Sequence, residues 1–171
     1  MSNAIVALIS VALILSSVAL TAQGSFRSIA VLSDAWQQME VRTKEMSRTN
    51  IEVINAQMTG AQVDVTIKNS GQTVLRDFSN WDVVMQYYDG SGNYYEKWIP
   101  YTSNPVPGND RWTVEGIYVI ASTTPEVFQP NMFDPSEEMV IRVILSPAPS
   151  ASSTKMVVIG TPNGVSASSN F

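Results

Sequence analysis

Residues 5–20 read IVALISVALILSSVAL, and no charged side chain precedes Arg27. An uncharged start of 26 residues measures roughly 39 Å as an α-helix, long enough to cross a bilayer or to lie inside another apolar medium. Its apolar residues keep to no single stripe: Ile5, Leu8, Val11, Leu15, Val18 and Leu20 point in different directions around the helix axis, so every side requires cover. Small residues at Ala12, Ser16 and Ala19 permit close backbone approach between helices.

Three readings of this start are open. A cleaved secretory signal normally carries a basic n-region, and MSNAI has none. A membrane anchor is the plain alternative. The third reading, preferred on sequence, is that a leader has been removed and the apolar helix packs into the core of a polymer.

The helical pattern continues beyond membrane length. From Ser25 to Thr49 there is no Gly or Pro, and Ile29, Leu32, Trp36, Met39, Thr43 and Met46 recur at spacings of three and four. Charges at Arg27, Asp34, Glu40, Arg42, Lys44, Glu45 and Arg48 decorate this amphipathic continuation, and Glu40 stands four residues before Lys44 in the favourable order. Ile29, Leu32, Trp36 and Met39 are expected to join helix and head, with Trp36 and Met39 in an ordinary intrachain core. Gly24 lies at the changeover and is expected to mark a bend.

After Thr49 the period drops to two. In QVDVTIKNSG at 62–71, Val63, Val65 and Ile67 alternate with Asp64, Thr66 and Lys68. Further strands are expected at 51–58, 81–89, 94–101, 112–121, 138–145 and 155–160, separated by Gly- and Pro-bearing turns such as Asp89–Asn93 and Pro105–Gly108. Seven strands in this arrangement predict a Greek-key or immunoglobulin-like sandwich. The fold class is therefore α+β: a long N-terminal helix over 1–49, apolar to 26 and amphipathic from 27, then a β-sandwich head over 50–171.

Composition narrows the chemistry. The 171 residues include no Cys and no His, which removes disulfides, thiolate chemistry, the commonest general base and the commonest metal ligand. The net charge is −5, the wrong sign for a nucleic-acid binder. The first 50 residues hold four basic and three acidic side chains, the remainder six and twelve, so the acidity belongs to the head. No phosphate loop, nucleophile elbow, zinc helix or EF-hand occurs. Asp89, Ser91 and Asn93 with Glu96 nearby have oxygen-ligand spacing, but a hairpin turn accounts for them more simply. Glu137 and Glu138 are adjacent and point apart in a strand, which makes no acid–base pair. Tyr87, Tyr88, Tyr94, Tyr95, Trp98 and Tyr101 suit cross-strand packing, a carbohydrate or a neighbouring subunit. No catalytic site, cofactor or bound metal is expected.

An uncharged helix flowing into an amphipathic stretch and a sandwich resembles the archaellins, filament subunits of archaeal-type flagella within the type IV pilin superfamily. The resemblance lies in SNAIVALISVALILSSVAL, in VDVTIKNSGQTVL at 63–75 and in MVVIGTPNGVSASSNF at 156–171. Bacterial type IV pilins usually carry glutamate at the fifth mature position; Ile5 here is similar to the archaellin branch if Met1 follows the cleaved leader. The resemblance implies a homo-oligomeric extracellular filament for motility or adhesion. It implies membrane insertion before polymerisation, and a leader peptidase and membrane assembly machinery as earlier partners. Ile5, Leu8, Val11, Ala12, Leu15, Val18, Ala19 and Leu20 would then be core contacts. FRSIAVLSDAWQQMEVRTKEM at 26–46, with the strand phrase, is also similar to archaellum accessory stator proteins, which share the helix-plus-sandwich plan and whose heads contact the envelope. The chain length suits such an accessory protein better than a filament subunit.

Overall fold

A computed structural model describes residues 2–119 and 125–171. Helix α1, Ser2–Arg48, is continuous and passes through Gly24 without a break. The chain separates into two compact units, 1–43 and 44–171, so the division falls inside the helix and its last turn belongs with the sandwich.

Eight strands follow: β1 Ile51–Thr59, β2 Gln62–Asn69, β3 Asp82–Tyr88, β4 Tyr94–Ile99, β5 Arg111–Tyr118, β6 Glu138–Ile144, β7 Met156–Gly160 and β8 Ser166–Asn170. All pairings between them are antiparallel. One sheet has the order β1-β2-β6-β5, the other β4-β3-β7-β8. This is the immunoglobulin order with one extra strand beside the third. Seven strands were expected; the eighth, SASSN, escapes because its inward positions are small. Val165, Ala167 and Phe171 do alternate toward the core. The expected end of the fifth strand, at residues 120–121, lies outside the described residues.

The core is what period-two alternation dictates. Val63, Val65 and Ile67 of β2 meet Met139, Ile141 and Val143 of β6 in register, and all six are fully buried. Val83, Met85 and Tyr87 of β3, with Val157 and Ile159 of β7, form the opposing layer, also fully buried. Between the strand ends, Trp81 makes an edge contact with Phe78 at 5.5 Å, and Trp112 one with Tyr101 at 4.9 Å. Such pairs add about 1 kcal/mol to area burial.

Buried Asn69 ties the connections together. Its Nδ2 donates to the carbonyls of Thr73 and Phe133, each at 2.9 Å, and its Oδ1 accepts from the Gly71 amide at 3.1 Å. A buried amide needs this full set of partners.

Candidate functional surfaces

The apolar helix segment exposes its whole circumference. Ile5, Leu8, Val11, Leu15, Val18 and Leu20 are 55–74% exposed, and Ala12 and Ala19 are exposed as well. Ala4, Ala7, Leu8, Val11, Ala12 and Leu15 line a shallow groove on one side. The hydroxyl side chains from Ser10 to Ser25 bond back onto the helix itself. Ser10 donates to the Val6 carbonyl at 2.9 Å, Ser16 to Ala12 at 2.8 Å, Ser17 to Ile14 at 2.8 Å, Thr21 to Ser17 at 2.8 Å and Ser25 to Thr21 at 3.0 Å. Hydroxyls satisfied in this way can enter hydrocarbon without losing a partner. By length and composition α1 can cross a membrane.

Ile29, Leu32, Trp36 and Met39 are 57–65% exposed. Within their own unit, the helix of residues 1–43, Trp36 and Met39 meet no second packing surface among the described residues, because a single helix cannot bury its own stripe. The observed attachment of helix to sandwich lies lower, inside residues 44–171. Gln72 donates its amide to the Arg48 carbonyl at 2.7 Å, Gly71 to Asn50 at 3.0 Å, and Asn163 Nδ2 to Thr49 Oγ1 at 2.7 Å. Gly71 is demanded by proximity. A Cβ there would stand 2.7 Å from the Arg48 oxygen and closer still to the Asn50 nitrogen. The signal that local sequence reading misses here is that a glycine also allows two backbones to touch.

Asp89 serves its own hairpin. Oδ1 accepts from the Ser91 and Asn93 amides, both at 2.8 Å, and Oδ2 from Asn93 Nδ2 at 2.9 Å and the Tyr95 hydroxyl at 3.3 Å. Hydrogen bonds from Asn93, side chain then backbone, hold the carboxyl below its ordinary range. The turn reading thus accounts for the Asp89–Asn93 spacing.

The aromatic residues divide between the two faces of β3 and β4. Facing inward, Tyr87 stacks on Tyr95 at 5.3 Å. Lys97 Nζ lies 5.5 Å from the Tyr95 ring centre and donates to Asp110 at 2.8 Å and to the Ser146 carbonyl. Burial lowers the Lys97 pKa, but the Asp110 hydrogen bond and nearby charges more than offset it and the net direction is up. Burial likewise pushes the Tyr87 phenol up. Facing outward, Tyr88 and Tyr94 pair at 5.2 Å, and exposed Trp98 donates Nε1 to Asp82 Oδ1 at 2.9 Å.

The outer face of the other sheet is built from ions. Arg142 holds Asp64 through two bonds of 2.9 and 3.1 Å, with Glu115 at 3.9 Å, and Tyr118 donates to Glu115 at 2.9 Å. No cluster of three acidic residues suited to a metal ion occurs among the described residues.

No protein-family model matches the chain. No curated protein matches it either. Solved structures do. The archaellum periplasmic stator protein FlaG from Sulfolobus acidocaldarius aligns at 24% identity with a TM-score of 0.52, over 72% of this chain and 99% of that one. The archaellum periplasmic stator complex of FlaF and FlaG from the same organism aligns at 24% identity with a TM-score of 0.51, over 71% of this chain and 87% of that one. At this identity the likeness is one of fold.

Proposed function

We propose that the chain is a membrane-anchored accessory protein of an archaellum-type machine. The uncharged part of α1 holds it in the membrane, and the sandwich head engages a component of the cell envelope or a second sandwich. The role is mechanical rather than catalytic. The observation that carries this reading is a helix apolar on every side whose hydroxyls are satisfied by its own backbone, joined to a sandwich with the fold of archaellum stator proteins. The FlaF–FlaG complex supports a protein partner within the same machine.

The filament subunit preferred on sequence is the second reading. What favours it is the groove at Ala4, Ala7 and Ala12, which suits close packing of one helix on another. Fractionation separates the two. The accessory protein stays with carbonate-washed membranes, and surface material sheared from the same cells contains no filament built from it. Recovery of the chain as the main subunit of a sheared filament sinks the accessory reading and establishes the other.

A further inference from the structure

Outward positions of β4, β3, β7 and β8 carry no Lys or Arg among the described residues. The opposite sheet, by contrast, presents Lys68 paired across the strands with Glu138, and Arg142 with Asp64. Trp98 is 60% exposed, stands across from Val84, and reaches diagonally to Asp82 through its indole N–H. That bond holds the indole beside Asp82 while most of the side chain stays open to solvent. Val158 and Ser168 continue the same row across β7 and β8. Four residues along β4 stands Tyr94, paired with Tyr88, about 13 Å from Trp98 at the usual strand rise.

Between the rings lie hydrogen-bonding groups. Glu96 accepts from Gln86 at 3.4 Å through Oε1, and Asp82 uses only Oδ1 on Trp98 among the described residues. One carboxylate oxygen on each is left for a donor. Apolar protein pressed onto this face would strand both carboxylates, which is costly. A second copy of the face would add two more and bring no cation. Anionic lipid or nucleic acid would be repelled. A ligand with flat apolar ring faces and hydroxyls at its edges meets both demands, stacking on the rings and donating to the carboxylates.

We infer that the outer face of the β4-β3-β7-β8 sheet binds a neutral oligosaccharide, with Trp98 and Tyr94 as stacking platforms and Asp82 and Glu96 as hydroxyl acceptors. This deepens the envelope-binding reading and rests on it. The span between the rings calls for more than one sugar unit.

The test uses the full chain in lipid nanodiscs, with mannotriose, chitotriose, tri-galacturonate and hexalysine as probes, followed by saturation-transfer NMR. At least one neutral trisaccharide is expected to bind saturably. Trp98→Ala should weaken it tenfold or more, Trp98→Tyr should restore part of the loss, Asp82→Asn should weaken it several-fold, and Trp36→Ala should change nothing. Near-UV circular dichroism checks that each variant is folded, and Glu96→Gln replaces any that is not. No binding of either neutral sugar, equal binding by Trp98→Ala, or Trp98-dependent binding of hexalysine alone overturns the inference. A parallel arm uses isolated envelope with and without periodate oxidation of its sugars. Envelope binding that survives periodate overturns the glycan inference and leaves the anchored accessory protein standing. Binding of neutral sugars without binding to envelope does the reverse.

Discussion

Asn163 donates a 2.7 Å hydrogen bond to the hydroxyl of Thr49, and that hydroxyl in turn donates to the Glu45 carbonyl at 2.8 Å. The turn between β7 and β8 thereby reaches the last helical turn through one side chain, across 114 positions of sequence. Thr49 is 6% exposed. Replacing it with Val keeps the shape and removes both bonds, at a cost of about 1 kcal/mol. The expected result is a lower midpoint in chemical denaturation, together with faster amide exchange at Met46–Thr49. Unchanged exchange would mean the helix end is held by other contacts.

Gly71→Ala is expected to do more damage than its single methyl suggests. The new Cβ meets backbone atoms of Arg48 and Asn50, which cannot rotate away as a side chain would. Overpacking of this kind costs about 1–3 kcal/mol. Gly90→Ala, where nothing lies within 4 Å, is the matched control and should be nearly silent by thermal melting.

Asp89→Ala and Asp89→Asn should differ. Asn keeps an acceptor for the Ser91 and Asn93 amides but turns a donor toward Asn93 Nδ2 and the Tyr95 hydroxyl, so it is the milder change. The wild-type carboxyl titrates lower in the folded chain than in the unfolded one. Its stabilisation is complete above the ordinary aspartate range and is lost as pH falls through the lowered folded value. Both variants should lose that part of the acid dependence of the melting temperature.

Glu137 runs the other way. It is 6% exposed, and burial raises its pKa, although the Asp134 amide at 2.7 Å partly offsets the shift. The folded chain thus retains a proton that the unfolded chain has released, and stability falls as pH climbs from the ordinary glutamate range through the raised value. Glu137→Gln should melt higher than wild type at neutral pH and converge with it in acid. A constant difference across pH would show that burial of Glu137 carries no proton linkage.

Val11→Asp tests the anchor. A carboxylate at the centre of a spanning helix costs about 3 kcal/mol, while the sandwich, whose core shares no residue with this segment, keeps its fold. The variant should shift from carbonate-washed membranes to the soluble fraction, with an unchanged near-UV spectrum. Full membrane retention would exclude residues 5–20 as the anchor.

The helix and most strands were legible because their signals are local. All-round apolarity at 5–20 and the three–four spacing after Ser25 specify α1 with no reference to the rest of the chain. Alternation in QVDVTIKN names β2 and its buried face. β8 was not legible: Val165, Ala167 and Phe171 alternate, but Ala167 and Ser169 are too small to register against Ser166 and Ser168. At Trp36 and Met39 the stripe tells that something covers it, not whether the same chain does.

Sequence by itself determined which segments are helix and, β8 apart, which are strand and which side of them is apolar, and that chemistry depending on Cys or His is absent, since these follow from side-chain identity and period. Only the tertiary structure decided that Gly71 is where two backbones touch, that Asp89 is consumed by its own turn, and that one sheet face is ionic while the other is aromatic with no cation among the described residues. Those are properties of neighbours far apart in the chain, and strand order and register, not local pattern, choose the neighbours.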